Sequence, residues 1–244
     1  LFWMSKNSFF EKKKAIRGGI PICFPWFGPH DTDKSKPQHG FARLSEWKVD
    51  EITEADDDSI SITLSLTESE STLAFWPHAF KATAKFIIGE TFELHLKVTN
   101  TGNTSFEYSN ALHTYFNISD ISSITIGGLR NDSYCEAFGS ELKKQTDEQL
   151  IFTGETNRRY ITHAGDALIN DQGYQRKIGV KKKGSRVSVV WNPAEATAKT
   201  MSDIHPGGYK TFVCVEPANA YPGIDTITLV PGADHTICTK IALQ

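Results

Sequence analysis

A chain of 244 residues, 39% hydrophobic and 23% charged, has the composition of an ordinary globular protein and the length to bury a sizeable core. Its formal charge of −3 gives no electrostatic reason to expect nucleic acid as a partner. No apolar run approaches the roughly 18 residues of a spanning helix, so a membrane partner is not expected either.

In chain order, the opening "LFWMS" lacks an initiating methionine and reads as the middle of a strand, with no signal-peptide layout around it. Residues 1–48 carry nine Lys/Arg against four Asp/Glu, a balance that would attract a small anionic ligand. Within them lies "AIRGGIPICFPWFGPH", residues 15–30. Pro21, Pro25 and Pro29 each remove a backbone donor, so the stretch is neither a helix nor a good central strand. Its large apolar side chains nevertheless predict a buried, proline-stiffened loop with Arg17 at its mouth. Residues 49–72 then carry eight acidic groups and no basic one, the pattern of a solvated loop and strand face.

From there the dominant period is two. "SISITLSL" (59–66), "KATAKFII" and "TFELHLKV" alternate, with Gly89-Glu90 marking a hairpin between the last two. "SSITI" (122–126), "RVSVVW" (186–191), "KTFVCVE" (210–216), "DTITLV" (225–230) and "HTICTKIAL" (235–243) are further strands. "SESTLAFW" suggests one short helix, and "NDSYCEAFGSEL" is ambiguous. Alternating strands with few helices and no linker predict a single all-β domain over residues 1–244, a large antiparallel sandwich of two sheets.

If "SNALHTYFNI" is a strand, Leu112, Thr114, Phe116 and Ile118 face one way and Ala111, His113, Tyr115 and Asn117 the other. The second face suits a polar cavity, where His113 is either a core histidine with one hydrogen bond or a general acid/base. Glu216 closes the "FVCVE" strand before Pro217, on the face of Phe212 and Cys214. It is either a strand-end charge or a base whose pKa is raised by an apolar pocket. Arg17 in "IRGGIP" and Arg43 in "QHGFAR" are surface arginines or a phosphate-binding fork beside closely approaching backbone. Cys23, Cys135, Cys214 and Cys238 form no C-x-x-C pair and read as reduced thiols of a cytoplasmic protein. With no H-x-H, H-E-x-x-H, Walker A or G-x-S-x-G motif, neither a metal nor a nucleotide chemistry is expected.

Taken together, "AIRGGIPICFPWFG", "QHGFARLSEW", "FWPHAF", "NALHTYFNI", "WNP" and "GYKTFVCVEPA" resemble the hexose-6-phosphate mutarotases, the glucose-6-phosphate 1-epimerase branch of the aldose 1-epimerase (galactose mutarotase-like) superfamily. The resemblance covers essentially the whole chain, and in the family several dozen further residues, with their strands, precede the position of Leu1. It implies a β-supersandwich that interconverts the anomers of an aldohexose 6-phosphate without metal or cofactor. By the same resemblance His113 is the catalytic acid and Glu216 the base, and Arg17, Gln38 and Arg43 match substrate-contacting positions, the arginines placed for the phosphate; His39, Asn157 and Asp203 are further substrate-binding candidates, with a structural role the first reading of Asp203. Asn157 in "TNRRY" replaces an aspartate common in the family, which bears on sugar preference. The partner implied is a small sugar phosphate, with a monomer expected. The alternatives are an aldose 1-epimerase of free sugars, a non-catalytic carbohydrate-binding sandwich and, with Asp203 and Glu216 as its only available carboxylate pair, a glycosidase.

Overall fold

The strand Phe92–Asn100 displays the rule by which most of the chain folds. Leu94, Leu96 and Val98 are fully buried, while Glu93, His95 and Lys97 lie on the opposite face. The computed structural model describes residues 1–55, 57–139 and 141–244; Asp56 of the acidic stretch and Ser140 of the ambiguous 131–142 segment lie outside the described residues. The hairpin expected at Gly89-Glu90 joins Phe80–Ile88 to Phe92–Asn100, with Ile88 opposite Phe92.

A nine-stranded antiparallel sheet runs in the order Gln149–Leu150, Ile124–Gly127, Ala167–Asp171, Arg176–Lys183, Asp234–Leu243, Phe92–Asn100, Phe80–Ile88, Ile60–Thr67 and Lys48–Glu54. The strand latest in sequence thus lies at its middle. An eight-stranded sheet packs against it, ordered Ile22–Cys23, Asn110–Leu112, Phe212–Asn219, Val187–Asn192, Thr156–Tyr160, Ser133–Glu136 and Lys143–Lys144, with Tyr115–Asn117 also paired to Phe212–Asn219. Two apolar clusters fill the space between the sheets, each with residues from both. Leu94 and Leu96 meet Phe24 and Leu112 in one, and Ile126, Ile169 and Ile178 meet Phe116, Val213 and Val215 in the other. Each such side chain contributes about 1.5–3 kcal/mol by leaving water. The molecule is therefore the β-sandwich that the alternation predicts.

A third cluster forms on the outward face of the eight-stranded sheet. Trp3, Tyr115, Phe212 and Cys214 lie there beneath Ala198 and Ile204. Helices are short: Glu70–Phe75, where Ser69 and Thr72 make a reciprocal capping box, and Ala194–Ala198. None among the described residues is long and apolar enough to cross a membrane.

Several local expectations are corrected. The ambiguous 131–142 segment contains the strand Ser133–Glu136. The strand carrying Glu216 does not end there; it continues through Pro217 to Asn219. "SNALHTYFNI" forms two strands, Asn110–Leu112 and Tyr115–Asn117. These two corrections are linked. The register Cys214↔Tyr115 and Ala218↔Ala111 leaves a gap in the ladder at His113–Thr114, opposite the stretch that contains Pro217, which has no N–H to give.

The proline-stiffened loop holds the His113–Thr114 stretch along its other edge. The Pro21 carbonyl accepts the His113 N–H at 3.0 Å and the Gly19 carbonyl accepts the Tyr115 N–H at 2.9 Å. Further along, the Phe24 carbonyl accepts the N–H groups of Phe41 and Ala42. Gly40 sits against it with φ +72°, where a side chain would strike the same carbonyl. Loops 15–30 and 38–43 are thereby fixed to each other and to the strand pair behind them.

Candidate active site

Because the register places Glu216 opposite His113 in the open stretch of ladder, their side chains meet on the sheet's outward face. His113 Nδ1 lies 3.2 Å from Glu216 Oε1, with the side chains only 7% and 1% exposed. The contact lacks hydrogen-bond alignment, and both Nδ1 and the other carboxylate oxygen, Oε2, are buried without a hydrogen-bond partner among the described residues. Two buried polar atoms left open in this way are costly in a finished fold and are free to act on a ligand.

The imidazole is held on three sides. Tyr115 stacks on it at 4.8 Å with planes 6° apart, and Trp191 and His39 approach edge-on at 5.7 and 5.6 Å. His39 is itself fixed by an exchange with Gly28. The His39 N–H donates to the Gly28 carbonyl at 2.7 Å, and the Gly28 N–H donates to His39 Nδ1 at 3.1 Å.

Charge is supplied by the loops. Arg17 Nε donates to Asp203 Oδ2 at 3.0 Å with Nη2 2.9 Å from the same oxygen, and Nη1 donates to the Tyr115 hydroxyl at 2.8 Å. Burial works against the Arg17 charge, but Tyr115 and Asp203 more than offset it and hold the guanidinium protonated. Arg43 Nη2 donates to the Gln38 carbonyl at 2.8 Å, while its Nε is buried without a partner among the described residues. Gln38 itself is exposed. Asn157 is half-buried and pairs across strands with Trp191, which pairs with Cys214, which pairs with Tyr115. That row puts Asn157 on the site's face of the sheet, two strands from the Glu216 strand.

Of the residues singled out from sequence, His113, Glu216, His39, Arg17 and Asp203 therefore converge, and Arg43 is close enough to act electrostatically on the pair. Tyr115 and Trp191 were not singled out. The period-two face that carries His113 already contained Tyr115, and that signal could have found it.

Burial pushes the Glu216 carboxyl well above the usual carboxylate range, with Arg43 opposing. Burial, then His39, Arg43 and Arg17, pushes His113 well below the usual imidazole range. In the absence of substrate both shifts therefore favour the uncharged forms, a carboxyl beside a neutral imidazole. His113, Cys214 and Glu216 also offer a nitrogen, a thiol and a carboxylate within 4.8 Å of one another, although burial holds the thiol protonated as well.

Two other histidines share this neutral state. Burial and then the guanidiniums of Arg43 and Arg17 lower His39 to about 3, and burial and then Lys182 lower His163 to about 4. An unfolded imidazole takes its proton near pH ~6.5. The unfolded chain therefore gains protons first as pH falls, and the stability these groups allow is complete above that pH and lost on the way down to about 4. For His163, only 2% exposed, the loss amounts to roughly 3 kcal/mol. The melting temperature of His163→Gln relative to wild type should rise as pH falls from about 7 to about 4.5, read as the difference between the two at each pH. A difference that stays constant across that range would refute it.

With the geometry in hand, kinship is clear. Residues 1–242 match the family model described as Aldose 1-epimerase. This chain belongs to the aldose 1-epimerase family. Among its relatives, a protein of Escherichia coli K12 named "Putative glucose-6-phosphate 1-epimerase" is 39% identical over 90% of this chain and 73% of its own length. One of the same name from Cenchrus ciliaris is 34% identical over 96% of this chain and 72% of its own. A crystal structure of a "putative mutarotase" from Salmonella typhimurium superposes with a TM-score of 0.91 at 33% identity, covering all of this chain and 79% of that one. The family's mutarotase-like sandwich is thus the fold built here.

Proposed function

We propose that this chain interconverts the α and β anomers of an aldohexose 6-phosphate, with glucose 6-phosphate as the first substrate to test. The observation that carries the reading is the buried His113–Glu216 pair, 3.2 Å apart, beside two arginines in an aldose 1-epimerase fold. The names of relatives 34–39% identical to it support the phosphorylated substrate.

Opening a hemiacetal requires one proton delivered to the ring oxygen O5 and one removed from the C1 hydroxyl. In this reading the proton resting on Glu216 passes to His113 across their contact as the substrate seats, giving an imidazolium and a carboxylate. His113 then protonates O5 while Glu216 takes the C1 hydroxyl proton, and the C1–O5 bond breaks to leave the open aldehyde. Rotation about C1–C2 turns the other carbonyl face toward O5, and the transfers run backwards to close the opposite anomer. Both groups end as they began, so no net proton or electron is consumed. The stacked Tyr115 ring and the proline loop fix His113 in place, and positioned acid–base groups contribute about 10²–10⁴-fold each.

Two-dimensional exchange NMR on glucose 6-phosphate tests the reading. Cross-peaks between the anomeric protons should grow faster in the presence of the protein. Unaccelerated exchange, with the protein folded and binding the sugar phosphate, would instead identify a non-catalytic sugar-phosphate binder. One observation favours a second reading, an epimerase of free sugars: the Arg17 fork is already occupied by Asp203 and Tyr115. Equal acceleration on glucose and on its 6-phosphate would select it.

A further inference from the structure

On the opposite side of the sandwich, the outward face of the nine-stranded sheet carries a second cluster unrelated to the acid–base pair. Glu93 and His95 alternate onto that face from Phe92–Asn100, and the register puts Cys238 of Asp234–Leu243 directly opposite His95 and Lys240 opposite Glu93. His95 Nε2 lies 2.9 Å from Glu93 Oε2 and 3.7 Å from Cys238 Sγ, and all three donor atoms lie within 4.8 Å of one another.

From this we infer that Glu93, His95 and Cys238 form a binding site for a zinc-like divalent cation, with solvent as the fourth ligand. Bonds of about 2.0–2.3 Å at tetrahedral angles separate neighbouring donor atoms by about 3.3–3.6 Å. The two nitrogen-centred separations bracket that range and the third lies within 4.8 Å, so a cation fits once the three side chains close on it. One carboxylate oxygen, one imidazole nitrogen and one thiolate make a donor set suited to borderline-soft metals and ill suited to magnesium or calcium. The same nitrogen faces both the thiol and the carboxylate, which is convergence on a point rather than the relay of a nucleophile, a base and an orienting acid.

The surroundings suit such a site. Lys240 Nζ holds the other Glu93 oxygen, Oε1, at 2.8 Å, leaving Oε2 directed at His95; this is an outer partner that orients a ligating carboxylate. Lys85 is paired across from His95 and Lys183 across from Cys238, and both are exposed. Burial and then Glu93 raise the Cys238 thiol to about 11, so the cation must displace its proton into solvent. Thiolate and carboxylate together then balance the two positive charges of the metal. Bound there, the ion would fasten the two central strands to each other from outside.

Cobalt(II) titration of the reduced, full chain in the absence of air tests this, with absorbance as the readout. Wild type should develop a thiolate-to-cobalt charge-transfer band together with the intense visible bands of tetrahedral cobalt. Cys238→Ser should abolish the charge-transfer band, and His95→Gln, at a partly exposed position, should weaken cobalt affinity by at least about tenfold while leaving the fold intact. Cys214→Ser, in the acid–base site, should leave the spectrum unchanged. No charge-transfer band in wild type, or one that survives Cys238→Ser, would overturn the inference. A band lost only in Cys214→Ser would do the same and assign the metal to the other cluster.

Discussion

Glu216→Gln should be both nearly inactive and more stable at neutral pH. The amide keeps the shape of the protonated carboxyl but cannot take the C1 hydroxyl proton, so anomer exchange above background should fall by about 10²–10⁴-fold. The stability gain follows from linkage. In the folded chain the Glu216 pKa lies well above its ordinary value, so as pH rises the unfolded chain releases a proton that the folded chain holds longer. Stability from this group is therefore full below its unfolded pKa and declines as pH rises above it. Glutamine does not titrate and removes the decline. The melting temperature of Glu216→Gln should exceed that of wild type at pH 7, and the difference should shrink toward pH ~4. His113→Gln should lose activity to a similar degree. Wild-type exchange rates in either variant would remove the pair from the mechanism.

The arginines should separate by stability as well as by substrate. Charge-assisted hydrogen bonds to a phosphate contribute about 1.5–3 kcal/mol, so Arg43→Ala should raise KM for glucose 6-phosphate by roughly 10- to 150-fold and leave KM for glucose little changed. Among the described residues its Nε has no partner and its Nη2 bonds a carbonyl, so the fold loses little with it. Arg17→Ala should raise the same KM but also strip Asp203, whose side chain is only 15% exposed, of its partner, lowering stability by roughly 2–3 kcal/mol. Parallel thermal melts and steady-state kinetics on both sugars check this. Equal KM changes on glucose and glucose 6-phosphate would remove the phosphate role.

Much of this architecture is legible because half-buried strands write their faces as alternation. Leu94, Leu96 and Val98 needed nothing else, and Phe212, Cys214 and Glu216 share a face as the spacing requires. What alternation cannot convey is pairing. Pro217 looked like a terminus because proline removes a donor, yet the strand runs on where the neighbouring ladder is already open. Strands such as Arg176–Lys183, with Gly179 at the centre and lysines around it, carry too little apolar pattern to be read locally; only Ile178, Gly179 and Val180 are buried there. The Arg17–Asp203 bond spans 186 positions, and Cys238 lies 143 positions from His95. Neither separation leaves any local trace, so the occupied guanidinium and the second cluster appear only once the sheets are assembled.

The central place of Asp234–Leu243 in the nine-stranded sheet bears on how the chain is made. Synthesis delivers Phe92–Asn100 and Arg176–Lys183 long before the strand that separates them. Until it emerges from the ribosome, both present unpaired N–H and C=O rows, and the larger sheet exists as two halves with open edges. Closing it depends on contacts far apart in sequence, which form slowly and leave sticky intermediates exposed meanwhile. A nascent chain stalled before residue 234 would hold most of its strands and still lack the keystone that joins them, which makes that interval the natural moment for a chaperone to engage.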